Sequence, residues 1–320
     1  MSAVSVMADL ATWGPDALRQ QVSLTAAERY CRDLARSHYE NFPVVTWFLP
    51  RHLHQHFYNV YAYCRWADDL SDETGNPEQS LRLLKWWEQE LDRCYAGVAD
   101  HPVFVALLPT IRQFSIPREP FSDLISAFVQ DQSVRHYESL PQLLDYCRRS
   151  ANPVGRIVLH LCECFSPENA DDSDSICTGL QLANFWQDVS RDLNIGRIYL
   201  PREIREEYGY SDEDLQARRT TDPFLRMMQF LVTDARQRLL AGQPLISRMP
   251  GRLKLDIDLF LRGGLLILNG IERIQFRIWD QRPTIGKLDL LRAAIAALFS
   301  LGCGRGRVDR RDAAAQQPHA

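Results

Sequence analysis

The sequence predicts an all-α protein, and three observations support that prediction. Apolar residues recur at three- and four-residue spacing through most of the 320-residue chain, as they do on the buried face of a helix. Runs of alternating β-branched residues, which would indicate strands, are absent, and the breaks carry proline, glycine and other helix-ending residues. The predicted helical segments are residues 24–39, 52–72, 80–97, 121–137, 140–165, 172–194, 223–242 and 255–279.

The breaks between these segments are neither long nor polar enough to be linkers between domains. They lie at residues 96–102, 115–120, 166–172, 241–250 and 280–284. We therefore expect a single helical domain over 21–300, after an N-terminal extension over 1–20. Residues 301–320 are rich in Gly, Arg and Ala and have little to bury, which predicts a disordered tail.

Composition argues against several classes of protein. The chain has 37 basic and 41 acidic residues, a net charge of -4, which predicts no nucleic-acid partner. Residues 1–20 do not resemble a signal peptide, and no stretch of 18 apolar residues predicts a membrane-spanning helix. The eight cysteines form no Cys-x-x-Cys pair, as expected of reduced thiols. These features predict a cytoplasmic protein, either soluble or in peripheral contact with a membrane.

The stretch YCRWADDLSDE, residues 63–73, is the first of two acidic motifs. Asp68 and Asp72 are four residues apart and therefore share one face of a helix, with Arg65 one turn before Asp68. Two acids at this spacing repel each other. Because their neighbours are apolar and aromatic, we expect the acids to line a cavity wall.

The stretch QLANFWQDVSRDLNIGRIYLP, residues 181–201, is the second acidic motif. Asn184, Asp188 and Asp192 repeat the four-residue spacing and so lie along one helix face. Facing carboxylates and an amide oxygen suit Mg²⁺, which takes few protein ligands and keeps sites for phosphate oxygens. Either motif alone would be interpreted as a solvated helix face. Two motifs in aromatic surroundings instead predict a diphosphate substrate held between two helices by several Mg²⁺ ions.

At these motifs the sequence resembles the squalene/phytoene synthase family of head-to-head prenyl synthases, and the resemblance extends over residues 28–280. The segments that carry it are HYENF...LP (38–50), YAYCRWADDLSDE (61–73), DYCRRSANPVG (145–155) and QLANFWQDVSRDLNIGRIYLP (181–201). The resemblance implies an isoprenoid synthase fold, a single helical domain around a central apolar cavity. It also implies a prenyl diphosphate substrate.

The resemblance assigns expected roles to individual residues. The metal-bridging positions are Asp68, Asp72, Asn184, Asp188 and Asp192, and the diphosphate-binding positions are Arg65, Gln181 and Arg197. The remaining carbocation needs apolar and aromatic walls, for which the candidates are Phe42, Tyr61, Phe185 and Trp186. Ordinary core packing is the alternative interpretation of these four aromatic residues. Asn152 or Tyr146 is expected to position a water molecule in the cavity.

Several departures from the family pattern narrow the choice among the reactions that the family catalyses. This chain has Glu40 where relatives carry a basic residue, Arg149 near a usual tyrosine, Gln187 in place of an arginine, and Ala151-Asn152 in place of Ala-Gly. The result is most similar to the hydroxysqualene synthases of bacterial hopanoid pathways. Those enzymes ionise presqualene diphosphate, rearrange the cation and capture it with water. No NADPH is expected, since no Gly-x-Gly-x-x-Gly turn follows a strand.

Two alternatives stay open at this point. One is the condensation of two farnesyl diphosphates to presqualene diphosphate or squalene. The other is a non-catalytic lipid-binding or assembly protein on the same fold, although such a protein would be expected to lose its metal ligands. The sequence also leaves open whether a presqualene diphosphate synthase hands its product to this protein.

Overall fold

The computed structural model describes residues 6–18, 20–37 and 50–283, and this part of the chain contains fourteen α-helices and no β-strand. The helices are α1 Val6–Trp13, α2 Leu24–Ser37, α3 His54–Asp72, α4 Pro77–Tyr95, α5 Pro102–Phe114, α6 Glu119–Asp131, α7 Leu140–Ser150, α8 Asn152–Leu161, α9 Pro167–Asn194, α10 Arg202–Tyr208, α11 Asp212–Gln216, α12 Asp222–Ala241, α13 Pro244–Arg248 and α14 Leu253–Arg273. The all-α prediction is confirmed. The predicted tail and residues 284–300 lie outside the described residues.

Prolines explain where the helices differ from the predicted segments. The segment 140–165 is two helices, because the ring of Pro153 is incompatible with a helical carbonyl four residues earlier. Helix α9 begins within the predicted break at 166–172, because the Ser166 hydroxyl accepts a hydrogen bond from the Asn169 N–H at 3.1 Å. Pro167 then occupies the first helical position, where no N–H is needed. Helix α5 was not predicted, and it accommodates Pro109 in its interior.

The two acidic motifs lie on helices in different halves of the fold. Helix α3 carries the first motif and packs against α2, α4, α5 and α6. Helix α9 carries the second and packs against α7, α8, α12, α13 and α14. Helix α6 touches α3 and α4 on one side and α7 and α8 on the other, so it joins the halves. Over the described part of the chain, no helix is both long and apolar enough to cross a membrane.

An aromatic cluster fixes the buried face of α3. The rings of Trp66 and Trp87 stack with centroids 5.2 Å apart, and both are completely buried. The Trp66 indole N–H donates to the Tyr30 hydroxyl at 3.0 Å, and that hydroxyl donates to Asp9 Oδ2 at 2.7 Å. Asp9 lies on α1, so a helix within the predicted N-terminal extension helps to hold α3 in place. Because this cluster fixes which face of α3 is buried, it also fixes which face is left accessible.

Asp256, in the first turn of α14, is a buried acid that has no counter-ion among the described residues. Its side chain is 3% exposed, and within the described part of the chain neither carboxyl oxygen has a hydrogen-bond partner. Burial raises the pKa of Asp256 to about 7, because an apolar environment disfavours the charged form. The free energy of unfolding should therefore depend on the ionisation of this one group.

We expect the Asp256→Asn variant to lose less stability than the wild type when the pH is raised from 5 to 8. Since the pKa of Asp256 is higher in the folded state than in the unfolded state, the folded protein binds more protons over this range, and its stability falls as the pH rises. Asparagine has no proton to lose. Urea denaturation at the two pH values measures the free energy of unfolding. Between pH 5 and pH 8 it should fall by about 2 kcal/mol more for the wild type than for Asp256→Asn. The exposed Asp171 gives the control, Asp171→Asn. The expectation would be refuted if the free energy of unfolding depended on pH in the same way in Asp256→Asn and in the wild type.

Candidate active site

A stripe of side chains along α3 stays partly exposed while most of the helix is buried. The stripe follows alternating steps of three and four residues, so its members lie above one another on one face. They are His54, Tyr58, Tyr61, Arg65, Asp68 and Asp72. Asp68 and Asp72 therefore lie on one face near the C-terminal end of α3, and Tyr61 lies on the same face towards its middle.

The other two acids of the first motif hold Arg65. The Arg65 guanidinium pairs with the buried Asp69, and it lies 3.4 Å from both Asp68 Oδ2 and Glu73 Oε1. The Arg65 Nε is buried and has no partner among the described residues. Burial raises the pKa of Asp69 to about 7, and the charge of Arg65 opposes that rise. Asp69 and Glu73 thus help to hold Arg65 in place, whereas Asp68 and Asp72 lie on the accessible face of α3.

Helix α9 presents a matching polar stripe from the other half of the fold. Asn184 is exposed although its neighbours Ala183 and Phe185 are buried, so its side chain faces open space. Gln181, Asp188 and Asp192 are partly exposed on the same face. The predicted metal-bridging residues therefore occupy one face on each of two helices.

One acid of each carboxylate pair has a raised pKa. Burial raises the pKa of Asp68, and the charge of Asp72 raises it further. Burial likewise raises the pKa of Asp192 to about 7, with a further contribution from Asp188. A like charge on a partly desolvated carboxylate disfavours the charged form, and a nearby cation favours it. Each pair would therefore be stabilised by a bound cation.

Arg197 connects the two motifs across the fold. It follows Gly196, whose φ of +74° forms the turn after α9, and its backbone N–H donates to the Asp192 carbonyl at 2.8 Å. The next residue, Ile198, forms an isolated parallel bridge with His136. The Arg197 Nη2 then lies 3.4 Å from Asp72 Oδ1 on α3. Its Nε is buried and has no partner among the described residues, and the side chain as a whole is 18% exposed.

Asp131, at the end of α6, was not among the predicted site residues. It is buried, and it accepts a hydrogen bond from the Tyr146 hydroxyl at 2.9 Å. Burial raises the pKa of Asp131 to about 6, while Arg197 and the Tyr146 bond act in the opposite direction. Asp131 and Arg135 line a groove of about 360 Å³ that also includes Asp72 and Arg197. The polar run DQSVR after an apolar helix was the only signal of these residues in the sequence.

Most of the predicted cavity aromatics are held in packed clusters. Phe185 stacks on Tyr199 with ring centroids 3.8 Å apart, and Tyr146 lies beside both rings. Trp186 is completely buried, as ordinary core packing requires. Tyr61 is partly exposed on the α3 stripe. Phe42, like Glu40, lies outside the described residues.

Asn152, a predicted water-positioning residue, lies at the start of α8 against α9. It is buried, and its Oδ1 accepts a hydrogen bond from the Thr178 hydroxyl at 2.9 Å. Thr178 lies three residues before Gln181 and on the same face of α9. A polar pair therefore lies next to the stripe that carries Asn184 and the two acids.

Arg149 and Arg282 occupy positions that the sequence did not predict. Arg149 bonds to Asp145 and to the side chains of Ser126 and Gln130, so α6 and α7 hold it in place. Arg282, beyond α14, forms two hydrogen bonds with Asp188. The four-residue spacing of Asp145 and Arg149 is typical of an ion pair within one helix, whereas no sequence pattern links Arg149 to α6 or Arg282 to Asp188.

The donor set fits divalent cations that bind together with a diphosphate. Among the described residues, no three His, Cys, Asp or Glu side chains converge into a ready-made metal site. This is compatible with Mg²⁺, which commonly uses one or two carboxylates and takes its other ligands from phosphate and water. Arg65 and Arg197 are partly exposed beside these acids, and guanidinium groups are suited to the same anion. The residues present therefore fit the predicted Mg²⁺, and their binding of it stays a prediction.

Comparisons with known proteins agree with this geometry. The family model for squalene/phytoene synthase matches residues 35–289. A hydroxysqualene synthase of Sinorhizobium fredii is 34% identical over 227 residues, which is 69% of this chain and 76% of that protein. A phytoene synthase of Arthrospira platensis is 28% identical over 281 residues, which is 84% of this chain and 91% of that protein.

A solved structure resembles most of this helical arrangement. The squalene synthase HpnC from Alicyclobacillus acidocaldarius matches with a TM-score of 0.77 and 45% sequence identity, covering 79% of this chain and 95% of that one. The isoprenoid synthase fold expected from the motifs is thereby confirmed. The relatives carry the names of different reactions, so similarity alone leaves the choice among those reactions open.

Proposed function

Because this chain belongs to the squalene/phytoene synthase family, we propose that it converts presqualene diphosphate into hydroxysqualene and releases diphosphate. The observation that favours this reaction over the others of the family is the buried hydrogen bond between Asn152 and Thr178, beside the acidic stripe of α9. It supplies a fixed polar group where a reaction that ends in deprotonation or reduction has no need of one. The 34% identity to a hydroxysqualene synthase supports the same choice.

The proposed reaction begins with loss of diphosphate. Mg²⁺, held by Asp68 and Asp72 on α3 and by the polar stripe of α9, would neutralise the charge that develops on the departing diphosphate. Arg65 and Arg197 would donate hydrogen bonds to the same group from opposite motifs. The carbon–oxygen bond breaks, and both of its electrons leave with the diphosphate.

The proposed reaction ends with capture of water. Apolar and aromatic walls offer the rearranged cation no nucleophile, and they limit the water that reaches it. Asn152 would orient one water molecule, whose oxygen lone pair forms the new carbon–oxygen bond. The extra proton passes to diphosphate or solvent. The sum is presqualene diphosphate and water giving hydroxysqualene, diphosphate and one proton, and no reductant takes part.

Product analysis with single substrates tests this proposal. The purified protein with Mg²⁺ and presqualene diphosphate alone should give hydroxysqualene, and in ¹⁸O-labelled water the hydroxyl should carry the label. Squalene formed only when NADPH is added would contradict the proposal. The second candidate is condensation of two prenyl diphosphates, which the similarity to a phytoene synthase favours. Turnover of farnesyl diphosphate alone would support that candidate.

We expect the Asn152→Ala variant to shift products from hydroxysqualene towards alkenes. A water molecule that is no longer positioned competes poorly with loss of a proton from the cation. Consumption of presqualene diphosphate should change less than the product ratio, because Asn152 is not proposed to hold diphosphate. Thr178→Val, which removes only the hydroxyl that holds Asn152, should shift the ratio in the same direction. An unchanged ratio in both variants would exclude Asn152 from this role.

The partners and location of the protein remain predictions. If presqualene diphosphate is the substrate, an enzyme that joins two prenyl diphosphates head to head must supply it, and direct hand-over between the two is one route. Peripheral contact with a membrane would give the largely apolar product a place to go. We propose both as consequences of the reaction.

A further inference from the structure

The segment 281–283, which follows α14, lies against the second acidic motif. The Arg282 Nε donates to Asp188 Oδ1 at 2.6 Å, and its Nη2 donates to Asp188 Oδ2 at 3.2 Å. This is the two-pronged geometry in which guanidinium binds carboxylate most strongly. Both oxygens of a proposed metal ligand are therefore already engaged by a cation of the protein.

Gln187 anchors this segment to α9. Its side chain is buried, and its Nε2 donates to the Pro283 carbonyl at 2.7 Å. Its Oε1 accepts from Arg282 Nη2 at 3.3 Å. Two consecutive residues of α9 thus hold two consecutive residues of the segment, which makes the placement of Arg282 specific. Arg191 is also near Asp188, but its Nε is 3.7 Å away and its side chain is mostly exposed.

We propose that Arg282 is a resident counter-ion of Asp188, that Gln187 holds it in place, and that it competes with a divalent cation for the Asp188 carboxylate. Arg282 and a divalent cation compete for Asp188, because each hydrogen bond to Arg282 occupies a lone pair of the carboxylate and the two cations repel each other. Arg282 therefore stabilises the acidic motif before metal binds, and it weakens the first binding of metal there. Gln187 acts as the positioning residue. This inference rests on the proposed function for the assignment of Asp188 as a metal ligand.

Metal binding without substrate tests the inference directly. Free Mn²⁺ is measured by electron paramagnetic resonance as it is titrated into the full-length protein. Arg282→Gln should bind Mn²⁺ about five- to tenfold more tightly than the wild type, since the competing bidentate pair is gone. Arg282→Lys, which keeps the charge but not the two-pronged geometry, should fall between them. Gln187→Leu should also bind more tightly, because it releases the segment without removing the charge of Arg282.

Arg277 supplies the matched control. It lies five residues before Arg282, and its Nε pairs with Asp280 at 2.7 Å instead of with the acidic motif. Arg277→Gln should leave Mn²⁺ affinity unchanged, whereas Asp188→Asn should abolish the gain seen in an Arg282→Gln background. Equal or weaker binding by Arg282→Gln would overturn the inference, whatever the products of the enzyme. Tighter binding alongside products other than hydroxysqualene would support the inference and refute the proposed function.

Discussion

Replacing Asp188 with asparagine is expected to lower turnover of presqualene diphosphate by about a thousandfold or more. The amide keeps the size of the side chain but removes the negative charge that a bridging cation needs. Asp188 is partly exposed on the α9 stripe and contributes little to the core, so the helical fold should persist. Steady-state kinetics gives the loss of turnover, and circular dichroism checks the fold.

The control for this prediction lies on the same helix. Asp171 is exposed near the start of α9, so Asp171→Asn makes the same chemical change away from the motif and should retain full turnover. Asp68→Asn on α3 should reproduce the loss caused by Asp188→Asn. Undiminished activity of the wild type in excess chelator would refute the metal assignment that both variants test.

Local spacing explains why the acidic faces could be predicted. Asp68 and Asp72, like Asp188 and Asp192, are related by four residues within one helix, and helical geometry alone places such pairs on one face. The helices themselves follow from apolar periodicity over long segments. The fold in which these helices pack, the isoprenoid synthase fold, is confirmed by the comparisons.

Contacts between distant segments explain what the sequence did not predict. Arg282 meets Asp188 across 94 positions, and Arg197 meets Asp72 across 125. No periodicity encodes such a pair, because it depends on how separate helices pack. Asp131 is a further example: at the end of α6 it resembles an ordinary polar helix terminus, and only the fold buries it beside Tyr146. Helix α5 was missed for a local reason, since Pro109 obscures its pattern.

Arg197 gives the second large effect, because one guanidinium serves both motifs. We expect Arg197→Ala to lower kcat/KM for the diphosphate substrate by about a hundredfold or more. The variant removes the donor that lies 3.4 Å from Asp72, and it leaves the like-charged Asp72 and Asp131 without their shared cation. Arg197→Lys should recover part of the loss, since it restores charge but not the planar fork.

Two measurements separate this role from a purely structural one. Inhibition by inorganic diphosphate should weaken in Arg197→Ala in parallel with kcat/KM, because the same donors would hold the product. The matched control is Arg202→Ala, which removes a neighbouring arginine whose side chain is half exposed and paired with Glu206 at 2.9 Å. That control should keep normal inhibition. If Arg197→Ala lost thermal stability but bound diphosphate as tightly as the wild type, Arg197 would be a structural tie between the motifs, and the anion-binding role would have to pass to Arg65.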